Sequence, residues 1–259
     1  MRASEATIPP AVPEPPRSVS LVVPVHDEEE NLVPLHREIR QVMSALPLAW
    51  ELLLVDDGSD DGGPEIMDRL ASEDDSVRVL HLACRSGQTG AFLAGFQAAR
   101  GEVVVTLDAD LQNDPADIPR LLSALKDHGA VVGCRQHRRD GLGRRLSSRL
   151  ANRVRNLMTR ETITDTGCSL KAFKREALTG LPQVRGMHRF LPTLVRMAGF
   201  SVAEVPVSHR AGRSKYGVGN RLFVGLGDLF FIRWMQVRGL SYKVSREKGR
   251  GLGAQAKRF

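Results

Sequence analysis

Short apolar runs alternate with stretches of helical periodicity along the first half of this 259-residue chain. Five runs have the length and residue types of buried strands, at 18–25, 51–57, 77–82, 103–108 and 130–135. Helical patterns separate them, at about 32–46, 63–74, 91–100 and 117–129. Strands that alternate with helices form a parallel sheet covered on both faces. The sequence therefore predicts an α/β fold, a three-layer sandwich around a mostly parallel sheet.

Polar and charged side chains stand at the ends of four of these predicted strands. In strand order they are His26, Asp27 and Glu28, then Asp56 and Asp57, then Asp108 and Asp110, and finally Arg135. The carboxyl ends of parallel strands lie along one edge of a sheet, and ligands bind there. We expect these side chains to share a site at that edge.

The remaining segments suggest one domain with appendages. Residues 1–17 are rich in proline and lack the apolar core of a signal peptide, which predicts a disordered leader. The predicted domain covers 18–220 and includes an arginine-rich helix from about 142, a helix at about 172–179, a strand at 201–207 and a Gly-rich basic loop at 209–220. An amphipathic helix at 221–242 and a basic tail at 243–259 follow. This helix either lies on an anionic membrane surface or packs on the domain beside a solvated tail.

Composition narrows the class of partner. The formal net charge of +7 indicates an anionic partner, such as nucleic acid, a membrane surface or a phosphorylated ligand. Aromatic residues make up only 5% of the chain, so base-stacking platforms for single-stranded nucleic acid are poorly supplied. The three cysteines form no C-x-x-C pair and are odd in number, which predicts reduced thiols in the cytosol, with neither a disulfide frame nor a zinc site.

The segment VVVTLDADLQNDP places acids at the mouth of a buried strand. Asp108 and Asp110 are two residues apart, so their side chains can share one face, and Mg²⁺ is commonly bound by one or two carboxylates plus substrate phosphates. The alternative is a solvated loop, and for Asp114, which precedes a proline, we expect a helix cap. An aspartyl-phosphatase pattern also begins Asp-x-Asp, but Gln112 argues against it. The second acidic stretch, VDDGSDDG, is either a nucleobase contact or a plain turn.

Eight motifs in order over roughly residues 18–240 resemble one family: PVHDEEENL, VDDGSDDG, GQTGAFLAGF, LDADLQNDP, VVGCR, DTGCSLKAFKREAL, HRF and GRSKYG. They are similar to family-2 inverting glycosyltransferases with the Rossmann-like GT-A fold. More narrowly, they look like the polyprenyl-phosphate glycosyltransferases, such as dolichol-phosphate mannose synthase and its bacterial relatives. Two departures stand out: Asp27 replaces the usual Asn, and the loop HRAGRSK is shorter than usual, so Arg213 could substitute for Arg210.

The resemblance implies a reaction and a role for each motif. A sugar would pass from a nucleoside-diphosphate sugar to a polyprenyl phosphate with inversion, with Mg²⁺ or Mn²⁺ as cofactor and Asp108, Asp110 and Arg135 as the catalytic residues. The implied nucleotide-sugar site is Pro24, His26, Glu28, Asp56, Asp57, Gly87, Asp108, Ala109 and Asp110, and the implied metal site is Asp108, Asp110 and Gln112. The implied acceptor-phosphate site is Arg135, Arg144, Ser148, Arg210, Arg213, Ser214 and Lys215, with His209 in the same closing loop. The protein would work at the inner face of the cytoplasmic membrane, bound peripherally, and would bind no nucleic acid.

Three alternatives remain open at this level. A glycosyltransferase with a hydroxyl acceptor would need a carboxylate to take the proton, and Asp165 is the candidate. A non-enzymatic protein could bind nucleotide sugars or a membrane surface. Charge alone also suggests a nucleic-acid binder, whose affinity would fall steeply with salt. The sequence does not distinguish UDP-sugars from GDP-mannose.

Overall fold

The computed structural model describes residues 16–135, 163–210 and 221–238, with side chains of the last range from residue 230 onward. The strands are β1 (Ser18–Val25), β2 (Ala49–Asp56), β3 (Val77–His81), β4 (Val103–Thr106), β5 (Ala130–Arg135), β6 (Lys171–Lys174) and β7 (Val202–Val207). The α-helices are α1 (Glu29–Met43), α2 (Gly63–Glu73), α3 (Gly87–Ala98), α4 (Ile118–Ala124), α5 (Leu191–Met197) and α6 (Arg221–Arg238). Short 3-10 helices lie at Pro115–Asp117, Leu125–Asp127, Arg175–Leu178 and Met187–Phe190.

The strands form one seven-stranded sheet in the order β3-β2-β1-β4-β6-β5-β7. Strand β6 is antiparallel to both of its neighbours, and the other neighbouring strands are parallel. The predicted α/β fold with a mostly parallel sheet is therefore confirmed. Because β6 runs against the rest, its first residue lies at the same edge as the carboxyl ends of the parallel strands.

Both faces of the sheet are buried, as expected for parallel strands with near-continuous apolar sequences. Alternate residues of β1 enter opposite clusters: Leu21 and Val23 pack with α1, α2 and α4, whereas Val22 packs with α3. Phe173 of β6 belongs to a third cluster, which also contains Leu194 of α5 and Ile232 of α6. The two covering layers hold the sheet rigid and leave its carboxyl edge to the loops.

The segment predicted as a helix at 172–179 is instead strand β6 followed by a 3-10 turn. Lys, Ala, Glu and Leu are strong helix formers, so local propensity favours a helix here. Burial on both faces overrides that propensity, because Ala172 and Phe173 are each fully buried on opposite sides of the sheet. The segment predicted as one helix at 117–129 is shorter, with α4 flanked by 3-10 turns.

Several predicted segments lie outside the described residues. They are the leader up to residue 15, the arginine-rich helix within 136–162, the basic loop at 211–220 and the tail from 239. The assignment of 18–220 to one domain stays a prediction. In the described part of the chain, no helix combines the length and the apolar character needed to cross a membrane.

Candidate functional site

The site lies where β1, β2, β4, β5 and β7 end and β6 begins. Residues 108–114, which we call the acid turn, follow β4 at the middle of this edge. Leu111 has a positive φ of 59°, a conformation that a branched side chain adopts rarely. Its side chain packs against the main core. Packing of the partly buried Leu111 against the core therefore helps to hold the strained turn in place, with the acids on either side at the edge of the sheet.

The acids of this turn have distinct partners. The Asp110 carboxylate accepts two hydrogen bonds from Gln112, one from the main-chain N–H at 3.2 Å and one from the side-chain Nε2 at 2.5 Å. Asp108 Oδ1 accepts a bond from Gln88 Nε2 at 2.8 Å. Asp114 accepts a bond from the N–H of Ala116 at 3.0 Å, which confirms the predicted helix cap. Asp108 and Asp110 therefore stay candidate site residues, whereas Asp114 supports the turn.

Negative charge is concentrated around Asp108 and Asp110. Burial and the neighbouring Asp110 raise the pKa of Asp108 to about 6, against the opposing effects of Ser169, Lys171 and Arg135. Burial also raises the pKa of Asp110, and the Glu28 carboxylate adds to this effect. The carboxylates thus repel one another, and a cation between them would remove that repulsion.

The donor set fits a hard divalent cation. Asp108 and Asp110 supply carboxylate oxygens, and Gln112 supplies an amide beside them, which is the chemistry that Mg²⁺ and Mn²⁺ prefer. Within the described ranges, no group of three or more His, Cys, Asp or Glu side chains is arranged to hold a metal ion. The two acids therefore match a site that a substrate diphosphate would complete.

The loop after β1 is fastened to the loop after β2. Asp27 has a positive φ of 53°, its N–H donates to Ser59 Oγ at 3.2 Å, and its Oδ1 accepts from the N–H of Asp60 at 2.9 Å. Asp and Asn are the residues other than glycine that adopt this conformation most readily, which explains why Asp27 can replace the usual Asn. His26 lies beside this loop, and its Nδ1 is buried without a hydrogen-bond partner. An orphaned polar atom at this edge is consistent with a ligand contact.

Asp56, at the end of β2, is buried and firmly held. Its Oδ1 accepts from the N–H of Ser59 at 2.9 Å, and its Oδ2 lies 3.0 Å from His81 Nδ1. Burial alone would raise the pKa of Asp56, but the bonds to His81 and Ser59 lower it below its ordinary value. Hydrogen bonds to Asp56 and then Asp68 raise the pKa of His81. Asp56 is therefore a charged acid at the predicted nucleotide pocket.

Asp57 orders the start of α3. Its Oδ1 accepts from the N–H groups of Ser86 at 2.6 Å and Gly87 at 3.0 Å. Gly87 has a φ of +78°, so a side chain there would be strained. Asp57 and Gly87, both predicted to bind the nucleotide sugar, thus contact each other. Ala109 is buried in the core, and Pro24 is half-buried on β1.

Arg135, at the end of β5, forms a two-point ion pair with Asp165. Its Nε is 2.6 Å from Oδ2 and its Nη2 is 2.8 Å from Oδ1. Asp165 is the predicted base for a hydroxyl acceptor, and both of its oxygens are engaged by Arg135. Thr164 and Asp165 are held in turn by Glu204 of β7 through their N–H groups, at 2.8 and 3.1 Å. The pair is therefore anchored on two sides.

Arg210 has partners other than a phosphate. Its Nη1 lies 2.8 Å from each carboxylate oxygen of Glu38, and its Nη2 lies 3.2 Å from Asp114 Oδ2. Its N–H donates to the carbonyl of Gln112 at 2.9 Å, and His209 pairs with Asn113 in a β-bridge. The base of the basic loop is therefore fastened to the acid turn. A phosphate would have to compete with two carboxylates for the Arg210 side chain.

Three contributors to the site were not predicted: Gln88, Ser169 and Lys171. Lys171 is buried at the start of β6, donates to the carbonyl of Cys168, and has its pKa lowered by burial. The motifs GQTG and DTGCSLK contain these residues, but spacing alone does not show that they reach the acid turn. Conversely, the predicted acceptor residues Arg144, Ser148, Arg213, Ser214 and Lys215 lie outside the described residues.

Comparison with known proteins adds sequence relatives. Residues 20–181 match the family model described as Glycosyl transferase family 2. Undecaprenyl-phosphate 4-deoxy-4-formamido-L-arabinose transferase of Salmonella choleraesuis is 38% identical over 207 residues, which cover 78% of this chain and 63% of that relative. Dodecaprenyl-phosphate galacturonate synthase of Rhizobium johnstonii is 36% identical over 247 residues, which cover 92% of this chain and 73% of that relative. The match thus spans less than two thirds of the first relative's length.

Solved structures share the fold at lower identity. Glucosyl-3-phosphoglycerate synthase from Mycobacterium tuberculosis, solved with Mn²⁺, uridine diphosphate and phosphoglyceric acid, has a TM-score of 0.62 at 23% identity, over 85% of this chain and 76% of that one. A mannosyltransferase from Pyrobaculum calidifontis, solved with GDP-Man and Mn²⁺, has a TM-score of 0.53 at 24% identity, over 78% of this chain and 58% of that one. At these identities the likeness concerns the fold, and it supports the α/β architecture described above.

Proposed function

The chain belongs to glycosyl transferase family 2, and from that premise we propose that it transfers a sugar from a nucleoside-diphosphate sugar to a polyprenyl phosphate. The observation that carries the proposal is the convergence of Asp108 and Asp110 with the Arg135–Asp165 pair at one edge of the sheet. The acids suit the donor's metal and diphosphate, and the arginine suits an anionic acceptor. The names of two relatives, an undecaprenyl-phosphate 4-deoxy-4-formamido-L-arabinose transferase and a dodecaprenyl-phosphate galacturonate synthase, support this class of acceptor.

The donor would lie across the loops after β1, β2 and β4. Asp108, Asp110 and Gln112 would hold Mg²⁺ or Mn²⁺, which when bound neutralises charge on the leaving diphosphate. His26, with its orphaned Nδ1, and Glu28 would line the nucleotide pocket together with Asp56. Solved structures of the same fold contain Mn²⁺ with a uridine or guanosine nucleotide, which supports a divalent cation at this edge.

The acceptor needs positioning more than activation. A phosphate is already charged at neutral pH, so its oxygen can attack the anomeric carbon without a base to remove a proton. The bond from that carbon to the diphosphate oxygen breaks as the new bond forms, and the configuration inverts in one displacement. Arg135, whose guanidinium is held in place by Asp165 through Nε and Nη2, would supply positive charge to the acceptor phosphate. The acceptor site would be completed by the other residues assigned to it from the sequence: Arg144, Ser148, Arg210, Arg213, Ser214 and Lys215.

A hydroxyl acceptor fits this geometry less well. It would require Asp165 to accept a proton, whereas both oxygens of Asp165 bind Arg135. A carboxylate that is held by a guanidinium is a weak base, because the ion pair favours its charged form. The arrangement therefore favours a phosphate as the acceptor.

The outer face of α6 suits a lipid surface. Phe230, Trp234 and Val237 are 67%, 60% and 64% exposed, and their spacing places them on one face of the helix. Ile232 on the other face is buried in the protein. The sequence continues with the cationic residues Lys243, Arg246, Lys248 and Arg250. An apolar stripe followed by basic residues is typical of peripheral binding to anionic membranes, and we place the protein at the inner face of the cytoplasmic membrane.

The proposal is tested by sugar transfer itself. The protein is incubated with Mn²⁺, a panel of labelled UDP- and GDP-sugars, and a short-chain polyprenyl phosphate. Label that moves into the organic phase with one donor supports the reaction and identifies the sugar. If label moves to a soluble hydroxyl acceptor and not to the polyprenyl phosphate, the proposed acceptor is wrong.

A further inference from the structure

His81, the last residue of β3, joins an acid at the end of β2 to an acid of α2. It is the register partner of Asp56 in the sheet, and its Nδ1 lies 3.0 Å from Asp56 Oδ2. Its Nε2 lies 3.1 Å from Asp68 Oδ1. The side chain of Asp56 is 6% exposed, whereas those of His81 and Asp68 are 40% and 68% exposed. The imidazole thus connects a buried carboxylate to one at the surface.

The geometry of the ring selects its protonation state. An ionised carboxylate can only accept hydrogen bonds, and a neutral imidazole has only one N–H. Because each ring nitrogen of His81 faces a carboxylate oxygen, only the imidazolium donates to both acids. The two neighbouring elements, β2 and α2, each contribute one of these charges, Asp56 and Asp68, and both raise the pKa of His81. The cationic ring is therefore the form that makes both bonds.

The rest of Asp56 is fixed by the fold. The N–H of Leu82 donates to its main-chain carbonyl at 3.0 Å, and the N–H of Ser59 donates to Oδ1 at 2.9 Å. Asp56 pairs with Val25 at the end of β1, one residue before His26 of the candidate nucleotide pocket. The imidazole holds the second oxygen, Oδ2. Each carboxylate oxygen has a further lone pair, so Asp56 can still accept a hydrogen bond from a ligand.

We propose that His81 is a positioning residue that orients the Asp56 carboxylate toward the donor nucleotide, and that its imidazolium is the form that does so. The inference rests on the proposed function for its ligand, but it makes no use of the acceptor. A carboxylate held on both oxygens loses little freedom when it accepts from an imide or amine of a nucleobase. As pH rises through the pKa of His81, the ring loses one N–H and its charge, so nucleotide affinity should fall.

Nucleotide binding across this pH range separates positioning from a merely structural role. UDP and, separately, GDP are titrated by calorimetry with saturating Mg²⁺, at several values between about pH 6 and about pH 8.5. His81→Gln does not titrate, and comparison with it cancels ionisation of the nucleotide itself. We expect the ratio of affinity at the lowest to that at the highest pH to be about three- to fivefold larger in wild type, the range of a partly exposed ion pair. Melting temperatures are recorded for each protein.

Two further comparisons identify the route of the effect. In a double-mutant cycle, His81→Gln should leave the pH profile of Asp56→Asn nearly unchanged, because the proposed route runs through the Asp56 carboxylate. Asp68→Asn removes one of the two carboxylates that favour the cation, so the fall in affinity should move to lower pH. Asp75→Asn is the matched control, since it makes the same change of charge at an exposed acid in the turn after α2. Its profile should match wild type.

Four results would overturn the inference. They are the same pH profile in wild type and His81→Gln, an equal effect of His81→Gln with and without the Asp56 carboxylate, equal shifts in Asp68→Asn and Asp75→Asn, and a wild type that binds neither nucleotide at any pH. The second would assign the effect to direct attraction between the ring and the phosphates, and the last would also remove the proposed donor. Because nucleotide binding needs no lipid, the expected profiles would support His81 even if sugar transfer to polyprenyl phosphate failed.

Discussion

The guanidinium of Arg135 and the carboxylate of Asp165 lie side by side, with Nε 2.6 Å from Oδ2 and Nη2 2.8 Å from Oδ1. Their side chains are 14% and 9% exposed, and the N–H of Arg135 also donates to Asp165 at 3.3 Å. Two parallel charge-assisted bonds fix both the position and the plane of the guanidinium. We therefore expect Asp165 to influence the proposed reaction through Arg135.

Asp165→Asn should impair use of the lipid acceptor without abolishing transfer. The amide keeps the size of the side chain but loses one acceptor oxygen and the charge, so Arg135 is held less well. We expect kcat/KM for polyprenyl phosphate to fall about 10-fold, roughly the free energy of one charge-assisted hydrogen bond. Steady-state kinetics with each substrate varied in turn would measure it.

The donor provides the internal control for Asp165→Asn. Because we assign the pair to the acceptor, we expect KM for the nucleotide sugar and affinity for Mn²⁺ to stay within about twofold, below the free energy of one hydrogen bond. If kcat instead fell by the thousandfold or more that marks loss of a general base, with acceptor KM unchanged, Asp165 would be the base of a hydroxyl-acceptor enzyme.

His188 should make the fold sensitive to acid. Thr89 Oγ1 lies 2.7 Å from His188 Nδ1, and burial lowers the pKa of His188 to about 3. In the unfolded chain the pKa of histidine is about 6.5. The folded protein therefore loses stability as pH falls from about 6.5 toward 3, by up to about 1.4 kcal/mol per pH unit. Urea denaturation of wild type and His188→Gln at several pH values in that window measures the difference.

His81 should change the stability of the fold with pH in the opposite direction to His188. Bonds to Asp56 and Asp68 raise its pKa, so its stabilising effect is complete below the pKa of the unfolded chain and is lost as pH rises through the folded pKa. His81→Gln should therefore cost more stability at about pH 5 than at about pH 8, whereas His188→Gln should flatten the loss below about pH 6.5. Parallel pH profiles in the two variants would contradict both assignments.

Trp234→Glu should weaken binding to anionic membranes. The indole is 60% exposed on the apolar face of α6, and Phe231 stacks against it with ring centroids 6.2 Å apart. A carboxylate there removes apolar area and repels anionic lipid. We expect at least about a fivefold loss of binding to phosphatidylglycerol vesicles in co-sedimentation.

Met197→Glu is the matched control for the helix face. Met197 is 40% exposed at the end of α5, a different helix, so its replacement adds the same charge outside α6. Wild-type binding to neutral phosphatidylcholine vesicles should be weak. Equal losses in Trp234→Glu and Met197→Glu would show that net charge, and not the face of α6, governs binding.

Most of the fold follows from local sequence. The bounds of β1 and β5 agree with the prediction at both ends, because each is a mostly apolar run whose central residues are buried. Pro34, which interrupts the first helical pattern, lies inside α1 without ending it. Strand β6 was missed because it is short and its residues have good helix propensity. Its pairing partners in β4 and β5 also lie far away along the chain, so no local sequence pattern predicts the strand.

The site was predictable only in part. Strand ends are visible in sequence, so the positions of Asp56, Asp108, Asp110 and Arg135 at one edge were predicted. The partners that tune these groups arrive from distant segments: Ser169 reaches the acid turn only because β6 is antiparallel and starts at the same edge. The engagement of Arg210 with Glu38, 172 residues away, was likewise invisible in any local pattern.

Transfer of labelled sugar to polyprenyl phosphate, measured for wild type and Asp110→Asn side by side, tests the central claim most directly. Asp114→Asn serves as the control, because Asn preserves the helix cap. We predict Mn²⁺-dependent transfer by wild type and Asp114→Asn, and a loss of at least about 100-fold in Asp110→Asn, whose folding is checked by circular dichroism. Transfer that persists undiminished in Asp110→Asn, or that never reaches the lipid in wild type with any donor, would contradict the account.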